Sequence, residues 1–513
     1  MSTSQAVGGG SQDVSGQSRL MGKLTIWAAI GLSVGLMAPS MAANINPQGA
    51  VSFVGRAIPL AFLVAAVGIL LVSYSIARLC QHFHHAGSVY GFVGATLGAR
   101  PGVVAGWGLI GTYMFYAVTT TIAAGIFGTS LLNTLKIWTN PPTWAPYILA
   151  GVFMLMIGLL ASSPVKRATG ALLGFEGATV ALILLVSVIV LVKLLGGHAP
   201  GGNKFTMSVF SLPHGVGTSK LFQGAVFGFL SFAGFEASAT LGEETARPRR
   251  DIPRAIIGTV IFGGIYFVFV TAIEGMGFGT TAKDVATYAG TGSLLGALGS
   301  TYVSAWVGDL VTFGTVVSAF SCALACVVGS SRLLFSLARD AKPGTTLSRV
   351  NSRWQTPVPA IVAIIIGAIA VYVIYAGAFG QTAIDIFDTS GTIGTLILLV
   401  VYLLTTVGAI KLLFFSGAVK VRRWEIIIPV AGALVLGYTL YRNVWPYPTG
   451  TAAWLPIWAG GWLAVAIVAV IVAPGAARRI GVMMTEADGL KPAESAVGVP
   501  EGGTPPLEPA PLT

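Results

Sequence analysis

Glu236 stands in the run Phe229-Leu-Ser-Phe-Ala-Gly-Phe-Glu236-Ala-Ser-Ala-Thr240, which carries no other charge and is followed by Arg247, Arg249, Arg250 and Arg254. A carboxylate at bilayer depth costs on the order of 3 kcal/mol unless it lines a cavity or binds something, so Glu236 is a candidate site residue. A second acid, Glu176, sits in Leu173-Gly-Phe-Glu176-Gly-Ala-Thr179, also within an apolar stretch. Buried carboxyls of this kind either carry protons or make interhelical hydrogen bonds, and both readings stand for Glu176.

Two apolar segments also hold residues that interrupt a helix. One reads Ile30-Gly31-Leu32-Ser33-Val34-Gly35-Leu-Met-Ala-Pro39, the other Ser231-Phe232-Ala233-Gly234-Phe-Glu236. A helix in lipid satisfies its own backbone, so such breaks are tolerated only where protein or a water-filled cavity takes over. Freed amides at a half-helix N-terminus attract a carboxylate, and freed carbonyls accept from an ammonium. A ligand bearing both groups therefore fits the pair of breaks, whereas glycines and serines alone also occur as plain helix-packing contacts.

The elements that must position these residues are membrane spans. The chain is 54% hydrophobic and 9% charged, with 67 glycines in 513 residues and a mean hydropathy of +0.82, which marks an all-α integral membrane protein. At about 20 apolar residues per crossing, twelve transmembrane helices are expected near 24–44, 51–75, 102–133, 144–161, 168–195, 219–242, 254–278, 304–336, 357–378, 388–412, 424–441 and 453–473. The two breaks fall in spans one and six. Five spans apart is the spacing of two inverted repeats meeting at the midplane. The expected organisation is a disordered tail (1–20), a twelve-helix membrane domain (21–475) and a second disordered tail rich in Pro, Gly and Glu (476–513). Within the domain, repeat one is about 24–195, repeat two about 219–412 and two extra helices about 424–473.

The formal net charge is +11, but the basic residues punctuate span ends rather than form a nucleic-acid patch. Even-numbered connections carry Arg78, Arg100, Lys166, Arg167, the four arginines after Glu236, Arg339, Lys342, Arg349, Arg353, Lys411, Lys420, Arg422 and Arg423. Odd-numbered ones hold Arg56, Lys136, Lys193, Lys204, Lys220, Lys283 and Arg442. The positive-inside rule thus places both termini in the cytoplasm of a plasma-membrane protein. Arg19, Lys23 and Ser40-Met-Ala-Ala43 also look like a cleavable signal, but the intervening run is long and contains Gly31, Gly35 and Pro39, so it is read as a retained span.

The stretch Phe-Ala-Gly-Phe-Glu236-Ala-Ser-Ala-Thr-Leu-Gly-Glu-Glu244, followed by Pro-Arg-Arg-Asp-Ile-Pro-Arg254, resembles the sixth-helix signature of the amino acid-polyamine-organocation (APC) superfamily. Ala86-Gly-Ser-Val-Tyr90, Leu97-Gly-Ala-Arg-Pro101-Gly leading into Gly106-Trp107, and Arg332-Leu-Leu-Phe-Ser-Leu-Ala-Arg339-Asp340 agree with it, and the resemblance covers nearly all of residues 20–475. It implies a LeuT-type fold of five plus five inverted repeats with two additional helices, transporting amino acids or small amines by alternating access. Residues around Leu32-Ser33-Val34, from Ile30 to Gly35, resemble the loop that binds a substrate carboxylate. Phe232, Ala233 and Gly234 resemble the loop whose carbonyls hold the amino group. The family's Gly-Ser-Gly is here Leu32-Ser33-Val34 between Gly31 and Gly35, which leaves the close backbone approach at this position or one residue away.

For coupling, Thr179 matches the place where some relatives carry a lysine, and span eight offers Thr315, Ser318 and Ser321 without an adjacent Ser/Thr pair. Glu236 and Glu176 are the proton-carrying candidates, and Thr179 and Ser318 complete the coupling set. Proton coupling or exchange is expected ahead of sodium symport. Asp309 is either an entrance or a site residue, and Glu243 and Glu244 are expected to pair with the arginines. No cofactor, metal or nucleic acid is expected: His82, His84 and His85 do not converge on one helix face, and Cys80, Cys322 and Cys326 read as buried free thiols. The absence of a Gly-Lys-Ser/Thr loop and of His-Glu-x-x-His removes ATP-driven pumping and zinc proteolysis. A sensor using the same pocket remains an alternative, weakened by the short tail. An intramembrane enzyme is weaker still, since Glu236 has no His, Cys or acid partner in a recognisable motif.

Overall fold

The computed structural model describes residues 25–83, 89–163, 166–241, 245, 247–341, 344–351, 356–417, 421–475 and 477–480, with side chains of 166–169 excepted. Both expected tails beyond these limits, His84, His85, Glu243, Glu244, Lys342, Arg353 and Lys420 lie outside the described residues.

The described residues are helical, without strands. The first half of the chain forms α1 (Ile26–Met37), α2 (Pro39–Val54), α3 (Ile58–His82), α4 (Val89–Leu97), α5 (Ala99–Thr134), α6 (Ala145–Ala161) and α7 (Lys166–Leu195). The second half forms α8 (Thr218–Phe232), a short 3-10 turn (Ala237–Leu241), α9 (Pro248–Phe278), α10 (Ala282–Ala289), α11 (Leu294–Tyr302), α12 (Ala305–Ala341), α13 (Val358–Val373) and α14 (Ala383–Ile410). Two more, α15 (Ile427–Val444) and α16 (Trp454–Val472), complete it. Eleven of the described segments are long and apolar enough to cross a membrane, counting Ile26–Val54 and Thr218–Leu241 as single broken spans, and α6 is a shorter apolar helix. The chain is thus a multi-pass membrane protein. Leu155, Leu159, Ile366, Val373, Leu434 and Ile471 are exposed on its outer helices, as lipid-facing residues are.

Helix ends follow local chemistry. Thr281 with Asp284 and Thr382 with Asp385 form capping boxes at the starts of α10 and α14. Asp251 lies in the first turn of α9, 3.7 Å from Arg247, where it complements the helix dipole. Span one corrects the sequence reading: α2 continues to Val54, so residues 51–54 belong to it, and the next span begins only at Ile58 after a turn at Gly55. Packing also continues past residue 475. Ala477 and Ile480 are buried against Val103 and Val470, and Arg479 Nη2 donates to the Ala341 carbonyl at 2.9 Å, at the C-terminus of α12.

The core is built on α5, most of whose residues are buried. It packs against α12, α14, α4, α6 and α16, while α2 packs on α8, α3 on α9, α6 on α13 and α11 on α12. Small residues permit these approaches: a Cβ on Gly49 would lie 2.1 Å from the Phe227 ring. Trp107 and Trp462 stack at 4.9 Å, each indole N–H donating to the other's carbonyl at 2.9 Å, which fastens α16 to α5.

Candidate functional site

The first span breaks at Ala38, which adopts the left-handed conformation (φ 44°, ψ 58°) between α1 and α2. Pro39 is the cause. It disfavours the α conformation in the residue before it and supplies no N–H, and here it stands in the first turn of α2, where no helical hydrogen bond is lost. This corrects the expected position: Ile30, Gly31, Leu32, Ser33, Val34 and Gly35 all remain inside helical α1. The proline, and not the glycine pair, sets the break.

The N-terminus of α2 is capped by side chains from distant helices. Ala42 N–H returns to the Ala38 carbonyl at 2.8 Å. Ser40 N–H donates to Glu176 Oε1 at 2.9 Å, and Met41 N–H to Ser318 Oγ at 3.2 Å. Glu176 and Ser318, on α7 and α12, therefore converge on one turn of broken helix, satisfying amides that a helix start leaves free. Thr179 takes no part in that cap: its hydroxyl donates to the Phe175 carbonyl, and the side chain packs on Gly314. Asp309 is half-buried in the opening turns of α12 and does not line the cavity described below.

The second break follows Phe232. Ala233 leaves the helix, and Gly234 takes φ +98°, a conformation that favours glycine. A Cβ on Gly234 would lie 2.8 Å from Leu36 Cβ, so the two breaks are in direct contact. Ser33 reinforces the junction by accepting from Ser238 N–H at 3.0 Å.

Between the breaks lies a cavity of about 30 Å³. Leu36, Met37, Met41 and Asn46 line it from the first span, and Leu230, Ala233, Gly234 and Glu236 from the second. Tyr113, Tyr116, Thr119 and Thr120 of α5, Cys322 and Cys326 of α12, and Leu398 of α14 close the rest. Glu236 is 5% exposed, and Tyr402 of α14 donates its phenolic proton to Glu236 Oε2 at 2.8 Å. Of the expected binding residues, Ala233, Gly234 and Glu236 line this space. Phe232 packs behind it on Phe267, and Ile30 to Gly35 lie along α1 beyond it.

Three groups went unnoticed in the sequence. Asn44 and Asn46 are fully buried in α2, Asn44 at the end of the first expected span and Asn46 in the connection expected after it. Asn44 Oδ1 accepts from Ser293 Oγ and from Leu295 N–H, both at 2.9 Å, and Asn46 Nδ2 donates to Ser231 Oγ at 2.7 Å. Glu274, inside α9, is fully buried and accepts from the Tyr288 hydroxyl at 2.9 Å. Burial, and then the adjacent Glu274, hold the Tyr288 phenol well above its usual range, so it stays a donor. An acid in an apolar span was the signal that could have exposed Glu274, as it did Glu236.

Cys80, Cys322 and Cys326 are buried and unbridged.

Comparisons with known proteins identify the family. The family model described as amino acid permease matches residues 25–472. The chain is 28% identical over 352 residues to the branched-chain amino acid permease BcaP of Bacillus subtilis, covering 67% of this chain and 72% of that one. It is 26% identical over 326 residues to the low-affinity putrescine importer PlaP of Escherichia coli K12, covering 62% and 67%. It is 27% identical over 373 residues to BcaP of Lactococcus lactis, covering 67% and 75%. These relatives are named as permeases and an importer. With a match that spans both broken helices and nearly every helix around them, the chain belongs to the amino acid permease family, within the APC superfamily.

Proposed function

We propose that this chain is a secondary active transporter that moves amino acids or related small amines across the plasma membrane by alternating access. The observation that carries this reading is the meeting of two interrupted spans at Gly234 and Leu36, beside the buried carboxyl of Glu236. Relatives named for branched-chain amino acids and for putrescine support the substrate range.

In this reading α6 is the twelfth crossing, and the first ten form five plus five inverted repeats. The packing supports it: α2 with α8, α3 with α9, α5 with α12 and α6 with α13 each join spans five apart. The short helices α4 and α11 also pack on α5 and α12, the corresponding long helices of the two halves. Both termini face the cytoplasm, as the charge asymmetry argues. The substrate site comprises the Leu36–Met41 turn together with Ala233, Gly234 and Glu236, braced by Ser33.

Coupling is assigned to protons, through Glu236 and Glu176. Glu176 links α7 to the α2 N-terminus, so a proton gained or lost there acts on the bond between two parts that must move. The oxygen of Ser318, a hydroxyl that sodium coupling would draw on, instead accepts from Met41 N–H. Uptake of radiolabelled amino acids and amines by purified protein in liposomes tests the function. Accumulation above protein-free liposomes for at least one member of the panel is the expected result, and none for any member overturns it.

A further inference from the structure

We propose that the cavity takes small primary amines and diamines in preference to amino acids, because Glu176 already fills the position a substrate carboxylate would need. This rests on the transporter reading and names its substrate class.

A carboxylate binds a broken helix through the free amides of its first turn. In the first turn of α2, Pro39 has no N–H, and Ala42 returns to the Ala38 carbonyl. The remaining two amides, Ser40 and Met41, are held by Glu176 and Ser318. The chain thus supplies its own carboxylate to this helix start, 2.9 Å from the Ser40 amide. A second carboxylate would have to displace it or lie against it without donors.

The cavity wall shows the opposite preference. It has no Lys, Arg or His among its lining residues, and it includes Glu236. Asn46 adds another acceptor, and the assignment of its amide is fixed by the neighbours. Ser231 Oγ donates its own proton to the Phe227 carbonyl at 2.9 Å, so it must accept from Asn46 Nδ2. That leaves Asn46 Oδ1, on a residue 1% exposed, without a partner. A buried acceptor in this state gains from an N–H donor. Glu236 supplies the countercharge for an ammonium group, Asn46 Oδ1 takes a further N–H, and Met37, Met41 and Leu398 offer walls to an alkyl chain.

Matched pairs that differ only in the carboxylate test the idea: putrescine against ornithine, and isoamylamine against leucine. Binding to the purified full-length protein and uptake into liposomes are both read. Each amine is expected to bind about tenfold or more tightly than its amino acid, the scale of one hydrogen bond to a charged group. Glu176→Ala frees the Ser40 amide and should narrow that ratio by admitting the amino acid. Glu176→Gln keeps an acceptor for Ser40 and should preserve the ratio. Asn46→Leu should weaken amine binding. Equal or tighter binding of the amino acids overturns the substrate class while leaving the transporter reading intact. A panel in which no compound binds or is taken up overturns both.

Discussion

Ser238 donates its backbone N–H to Ser33 Oγ at 3.0 Å, and both residues are fully buried. The bond joins α1 to the turn that follows the second break, so the two discontinuous spans share a hydrogen bond as well as the contact at Leu36 and Gly234. Ser33 therefore stands behind the site as a brace, one turn before the break itself.

Ser33→Ala should leave the Ser238 amide unsatisfied, at a cost of ~1–3 kcal/mol. Ser33→Thr retains the oxygen and should come closer to the parent. Thermal unfolding of purified protein checks the difference, and an unchanged melting curve for Ser33→Ala would remove the brace.

Gly234 meets two separate constraints, a positive φ and the Leu36 backbone. Gly234→Ala is expected to add strain of ~1–3 kcal/mol and to push the two breaks apart. Gly234→Leu should abolish substrate binding while the protein still inserts. Saturation binding, normalised to inserted protein, reads both variants. Parental affinity in Gly234→Leu would dissolve the argument that the site lies at this junction.

The membrane-spanning helices were legible because apolar length is a one-dimensional signal that folding does not alter. Glu236 and Gly234 stand out in the sequence for a related reason: a charge and a helix-weakening glycine are both costly inside an apolar run. The first break was placed too early because Gly31, Ser33 and Gly35 drew the reading to the family's motif, while Pro39 governs the backbone locally. Asn46 was missed because it falls between two expected spans, next to Pro47, and Asn44 because it closes the first of them. Only the packing of α2 shows that they are interior, Asn44 against the start of α11 and Asn46 against α8. The junction of Glu176 with Ser40 is a contact across 136 residues, which no local pattern encodes.

The reciprocal indole bonds between Trp107 and Trp462 form a unit that sequence spacing does not reveal. Gly111 makes room for it, since a Cβ there would sit 2.2 Å from Trp462 Nε1. Trp107→Phe and Trp462→Phe should each destabilise the protein, and the double variant should cost less than their sum by ~1 kcal/mol. Strict additivity in thermal or chemical unfolding would show that the two bonds act independently.

The expected topology, with both termini in the cytoplasm, rests on the charge asymmetry. The three native cysteines are buried, so single cysteines can be introduced at the surface over a low background. Those replacing Ser2 and Ser495 should be protected from impermeant thiol reagents in intact cells, and those between Gly197 and Asn203 should react. Labelling of both termini from outside would reverse the assignment.

Proton coupling is the sharpest of these expectations, because one atom exchange separates it from its alternative. Tyr402 donates to Glu236 Oε2 at 2.8 Å, and a glutamine at this position offers the same size and a carbonyl oxygen for that donor. Glu236→Gln should therefore fold and insert, yet it carries no titratable proton and no charge. In liposomes made without sodium, an inward proton gradient should drive uptake by the parent protein, and the same gradient should have no effect on Glu236→Gln. Uptake that requires a sodium gradient and is indifferent to pH would move the coupling role away from Glu236 and toward the hydroxyls of α12, with Ser318 the first to examine.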